Sequence, residues 1–290
     1  MKLGKEAQSL STQFGVAVQP WKGRLSIGVG TSLNFGGTGK MEASGIVIDP
    51  SGTRQSPQHQ MFVDLKTRMG ILAGIQYLHP FKFIDMQSGF SFRQEQFLNL
   101  ENFQADASTS LLEIQLPLSI SIIDQYSPHT FTASTNFRFK KPGFFHHWAT
   151  TIELEAQLWS GYKIDDSTAL LAGSPAFKNI LIPRIGFEIP FTLLSYSTIR
   201  SGYSYIPAFT PDQVSITNYL DNNKHAISLG FGIILPRNFL VRIPTTLDAG
   251  LQLQLWEKRN SSKEVSDQFN PDYSYKGHVI IFSLSASWRF

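Results

Sequence analysis

Apolar and polar residues alternate at period two from one end of the chain to the other, and this pattern limits the fold more than any other feature. Leu247, Ala249, Leu251, Leu253 and Leu255 occupy one set of alternate positions, and Asp248, Gly250, Gln252 and Gln254 the other. Ile152–Leu158, Phe131–Phe139 and Arg184–Ile189 read the same way. A period of two sends successive side chains to opposite faces of an extended strand, whereas an amphipathic helix repeats at 3.6. About twelve such segments are predicted, near 9–18, 23–36, 65–78, 86–99, 109–123, 129–140, 147–161, 178–190, 195–206, 223–236, 243–257 and 275–290. Each of the four segments named above runs to about nine to eleven residues once its ends are included, the length with which a tilted strand crosses a bilayer.

The connections between segments come in two sizes. Tight ones include Gln19–Gly23, His79–Phe81 and Pro236–Asn238, and long polar ones cover 40–62, 163–176, 207–222 and 259–273. Short turns on one side and long loops on the other are the pattern of a bacterial membrane barrel. The longest apolar runs, such as Gly232–Pro236, fall far short of the roughly 20 residues of a membrane helix. A chain of this kind that crosses a membrane does so as a closed barrel, because only closure satisfies every backbone group in lipid. Charged residues make up 16%, below the about 25% of soluble domains, while aromatics reach 13%. A soluble sandwich would also alternate, but its strands average only about 5–6 residues. All five Trp, at 21, 148, 159, 256 and 288, fall near predicted strand ends, where an interfacial girdle places them. The expectation is an all-β, closed antiparallel transmembrane β-barrel of about 12–14 strands forming a single domain over residues 1–290. The balance of 25 Lys+Arg against 22 Asp+Glu excludes a phosphate-backbone binder, and the lack of Cys excludes disulfides and thiolate metal sites. The first residues lack the apolar core of a secretory signal, so an export signal is expected to have been removed or to lie upstream.

Counting back in twos from Phe290 gives Trp288, Ala286, Leu284, Phe282 and Ile280, with Arg289, Ser287, Ser285 and Ser283 between them. A terminal Phe closing such a strand resembles the signal read by the outer-membrane barrel-assembly machinery, which makes that machinery an expected partner. From about residue 111 onward the motif order resembles the FadL family of outer-membrane transporters for long-chain fatty acids and other hydrophobic compounds. The residues that carry the resemblance are Leu116–Pro117, Leu158–Tyr162, Arg184–Glu188, Ile199–Pro207 and Leu220–Gly232; Gly15–Pro20 and Leu25–Gly30 add weaker matches nearer the N-terminus. That family places an N-terminal plug and a first strand before the matching region, and this chain begins downstream of both. The resemblance implies a channel or transporter for a hydrophobic small molecule, such as a long-chain fatty acid, in the bacterial outer membrane. The alternative is a structural or partner-binding barrel within a larger assembly that does not transport.

If the alternation holds, Arg93, Glu95, Arg138, Glu153, Glu155, Arg184, Glu188 and Arg200 point inward. Arg138, Glu153, Glu155, Arg184, Glu188 and Arg200 are therefore the candidate lumen residues for ligand contact. Both signs are present, so these side chains can pair and brace the wall; Arg184 or Arg200 could instead meet a ligand carboxylate. No catalytic set, cofactor or metal site is expected. His225 beside Asp221 and Ser228 is the one cluster that invites a hydrolase reading, and its spacing matches no hydrolase motif. The pair His146–His147 is read as a turn.

Overall fold

The structure, a computed structural model, describes residues 10–42, 60–97, 126–140, 148–162, 177–192, 196–212, 220–235, 245–263 and 271–288. Its strands are β1 (Leu10–Trp21), β2 (Leu25–Glu42), β3 (Gln60–Pro80), β4 (Ile84–Arg93), β5 (Gln96–Phe97), β6 (Tyr126–Ser127), β7 (His129–Phe139), β8 (Ala149–Leu158), β9 (Ile180–Thr192), β10 (Tyr196–Ile206), β11 (Lys224–Leu235), β12 (Thr245–Ser261) and β13 (Tyr273–Trp288). Among the described residues the only helix is a single 3-10 turn at Trp159–Gly161. Among the described residues no helix is long and apolar enough to cross a membrane.

Eleven strands form one sheet in the order β1-β2-β3-β4-β7-β8-β9-β10-β11-β12-β13, and β5 pairs with β6 separately. Each strand of the large sheet thus neighbours the next one in that sheet, an up-and-down meander. Its described pairings do not join β1 to β13. The segment expected at 109–123 lies outside the described residues, as does His146–His147. The segment expected at 86–99 is instead β4 followed by the short β5. At the turn after β1, Gly23 adopts φ +74°, and the Arg24 amide donates to the Trp21 carbonyl at 2.9 Å. Only glycine enters that left-handed region without strain. The β3–β4 turn closes with the Phe81 amide donating to the Ile84 carbonyl.

The chain divides into two compact units. The first comprises Met1–Val16, Val29–Leu72 and Gln94–Ser127. Within it the buried Gln96 side chain donates to Ser32 and accepts from Asn34. The Tyr126 hydroxyl donates to Glu95 at 3.1 Å. The second comprises Ala17–Gly28, Ala73–Arg93 and Pro128–Phe290.

In the second unit the register fixes two chemically distinct faces. One carries Ile152, Leu154, Ile185, Phe187, Ile199, Ile227, Leu229, Phe231, Leu247, Leu251, Leu255, Ile280, Phe282 and Leu284, all exposed. The opposite face carries Arg138, Glu153, Arg184, Glu188, Arg200, Asp248 and Gln252. Across the described residues 33 large apolar side chains are exposed, while five apolar residues are buried: Ala149, Phe177, Ile180, Ile182 and Ala226. Phe282 and Leu284 remain 66% and 72% accessible. A sandwich buries its apolar face between two sheets, and among the described residues no such core is present.

Candidate functional site

The polar face of the second unit gathers its charges into two clusters. Glu153 stands opposite Arg184 in the β8–β9 register. Arg184 Nη1 donates to Glu153 Oε1 at 2.5 Å and to Glu155 Oε2 at 2.7 Å. One guanidinium is thereby held by two carboxylates that project from the same face of β8. Charge-assisted bonds of this length are the strong kind.

The second cluster spans four strands. Arg200 faces Glu188 across β9–β10, and its Nε donates to Glu188 Oε2 at 3.1 Å. Its Nη1 reaches past β11 to Asp248 Oδ1 on β12, at 2.7 Å. That reach depends on the two glycines of β11 beneath it. A Cβ on Gly232 would lie 2.5 Å from Asp248 Oδ1 and 3.2 Å from Arg200 Nη1, and one on Gly230 would sit 3.5 Å from Arg200 Cβ. Only a strand without side chains at these positions leaves room for the bridge.

Five of the six candidate lumen residues are thus brought together: Glu153, Glu155 and Arg184 in one cluster, Glu188 and Arg200 in the other. Arg138 shares their face but stands apart near the short turns, opposite Asp85 and Ala149. It forms no hydrogen bond or ion pair among the described residues, since Asp85 is taken by Lys140 at 2.5 Å. Arg93 donates to Thr130 at 3.1 Å.

Sequence reading missed Asp248 as the partner of Arg200. It lay in the polar row of β12, but a bridge that skips a strand leaves no trace in local spacing. The glycines at 230, 232 and 250 were its one visible signal.

The hydrolase-like cluster does not assemble. Asp221 accepts the Phe209 amide and Lys224, and Ser228 turns to the Gly202 carbonyl on the polar face. His225 points to the apolar face, where Nδ1 lies 2.8 Å from Tyr203 Oη and Nε2 lies 2.8 Å from Glu257 Oε1. Asp221 and Asn222 instead anchor the loop rim. Asn222 is fully buried and donates to the Glu257 and Tyr275 carbonyls. Arg259 clamps the Thr210, Pro211 and Asp221 carbonyls. Trp256, expected in an interfacial girdle, lies on the polar face beneath Lys224, 5.6 Å from the ring centroid. Trp148 does fit a girdle, stacked on Phe139 at 3.8 Å. Among the described residues no group of three His, Asp or Glu could hold a metal.

Among solved structures, a FadL homologue from Pseudomonas aeruginosa matches 97% of this chain and 67% of its own, with a TM-score of 0.56 and 14% identity. The chain has the FadL-type fold. In that fold an alternating strand turns its apolar face outward and its polar face to the interior. On β12 the apolar stretch Leu247–Leu255 spans about 21 Å along the membrane normal at a tilt near 40°, close to the roughly 25 Å band of such barrels. In sequence, the chain is similar to alkane uptake protein A of Marinobacter nauticus, at 25% identity over 316 residues covering the whole of this chain. It spans 65% of that protein's length. No protein-family model matches the chain.

Proposed function

We propose that this chain is a transporter, not an enzyme, which passes an uncharged hydrophobic molecule through the barrel across a bacterial outer membrane. The observation that carries the reading is the state of the interior arginines. Arg184 and Arg200 are each held by two carboxylates, so neither is free to recruit an anionic head group. An approaching carboxylate would also meet Glu153, Glu155, Glu188 and Asp248 at close range, which disfavours it. Glu153, Glu155, Arg184, Glu188 and Arg200 then brace the wall, and the cargo slides past on its own apolar surface. The alkane named for the Marinobacter relative is a molecule of this kind. We further propose that the strand ending at Trp288, with its apolar outward row, is the part recognised by the assembly machinery.

Arg138 gives a second reading its foothold, because among the described residues it is an interior cation left unpaired. A fatty acid could present its carboxylate there on leaving towards the short-turn end. Uptake of radiolabelled long-chain alkane and of a long-chain fatty acid by proteoliposomes separates the two. The first reading expects alkane entry unchanged by Arg138→Ala; the second expects fatty-acid entry that falls at least about fivefold in that variant, the loss of one charge-assisted contact. If neither compound enters faster than in protein-free vesicles, transport is refuted.

A further inference from the structure

We infer that the long-loop rim of the outer wall over β10–β13 carries a binding site for the phosphate of an outer-leaflet glycolipid. On four adjacent strands the apolar outward row ends at one level. It ends at Tyr203 on β10, Ile227 on β11, Leu253 on β12 and Ile280 on β13. The next outward row is Tyr205, His225, Leu255 and His278, which stand opposite one another in the register. Beyond it come Glu257 and Lys258, in the bulge between Trp256 and Arg259, and Lys276 opposite them. With strands about 4.8 Å apart, this row is about 14 Å wide, the footprint of one lipid head group.

The charges of this rim divide into committed and uncommitted groups. Glu257 is committed: Oε1 meets His225 Nε2, and Oε2 accepts Asn223 Nδ2, both at 2.8 Å. Tyr203 completes the chain by meeting His225 Nδ1. Lys258, Lys276 and His278 are exposed and form no hydrogen bond or ion pair among the described residues. Lys258 and Lys276, cations left unpaired among the described residues directly above an apolar wall, fit a phosphate anchored in the same leaflet, with the His278 ring beside them. Tyr203 and Tyr205 supply the amphipathic rings that settle at this depth. The connections at this end, 207–223 and 262–272, are the long ones, which places the site in the outer leaflet. The site is separate from the interior clusters and rests on the membrane-spanning reading alone.

The test uses the full chain in detergent micelles, offered a glycolipid bearing sugar phosphates or the same glycolipid with its phosphates removed, with retained lipid counted by native mass spectrometry. The wild type is expected to retain the phosphorylated lipid. K258A/K276A/H278A should bind it at least about 25-fold more weakly, about fivefold for each lysine lost. Equal retention by that variant, or equal retention of the dephosphorylated lipid, overturns the inference. So does displacement of the lipid by inorganic phosphate at millimolar concentration, which would mark a site for the free anion. A chain that carries neither lipid nor a detergent belt would instead refute the membrane reading.

Discussion

Replacing Arg184 by Met keeps an unbranched apolar stem and removes the charge, leaving Glu153 and Glu155 to face each other. Their bonded oxygens lie 2.5 and 2.7 Å from one nitrogen, so they can be no more than about 5.2 Å apart. Two unit charges at that distance repel by about 3 kcal/mol at an effective dielectric of 20 and by about 0.8 kcal/mol in water. The Glu153 and Glu155 side chains are 29% and 14% exposed, so the true value falls between these limits. Arg93, which also acts on Glu155, draws it towards the lower half. Arg184→Met is therefore expected to lower stability by about 1–3 kcal/mol. The measurement is urea unfolding in detergent micelles, followed by the mobility difference between folded and unfolded chain on unheated gels. In the Arg184→Met background, adding Glu153→Gln and Glu155→Gln removes the repulsion and should restore at least about half of the loss. The same triple variant should import alkane within about twofold of wild type, because the cluster braces the wall and does not touch cargo. A triple variant no more stable than Arg184→Met would refute the repulsion argument. One that folds but no longer imports alkane would refute the bracing role.

Gly232→Ala should be close to neutral in the wild type. The methyl breaks the Arg200–Asp248 contact, worth about 0.5–1 kcal/mol at this exposure, while removing a glycine from the unfolded chain returns about 0.4–1 kcal/mol. In an Asp248→Ala background only the gain survives, so a double-mutant cycle by urea unfolding should show coupling near 0.5–1 kcal/mol; zero coupling would mean that the glycine serves another purpose. Asn222→Ala removes two bonds to carbonyls at a fully buried position and should cost about 1–3 kcal/mol in thermal unfolding. Asn222→Asp, which buries a second charge beside Asp221, should cost more. Burial, and then the hydrogen bond and charge of Glu95, push the Tyr126 phenol up to about 12. The raised value means that its contribution is complete below pH 10 and is lost as pH climbs from there towards 12. Tyr126→Phe should remove that alkaline loss from a stability–pH profile, and an unchanged profile would count against it.

The alternation of β8 to β13 was legible because one side of each strand meets lipid and the other the interior, so both faces leave a period-two record in the sequence. Leu247–Leu255 shows it without interruption, and the register sets its apolar and polar rows on opposite faces. Between β4 and β7 the described residues depart from the pattern. After Arg93 the chain leaves the sheet and Gln96 turns back on Ser32 and Asn34, contacts set by tertiary packing and invisible to any periodicity. The same limit applied to the charges. Glu153 and Arg184 could be placed on one face, but their pairing depends on a register that only hairpin geometry sets. Arg200 and Asp248 required in addition that the intervening strand carry no side chain. Glycine inside a strand ordinarily marks curvature or a close backbone approach. In the fold Gly230 and Gly232 clear the path of an ion pair across β11, and with it they decide whether Arg200 stands as a free cation or is neutralised by Glu188 and Asp248. The charge state of this face was thus encoded in what β11 lacks, a form of information that a search for functional side chains passes over.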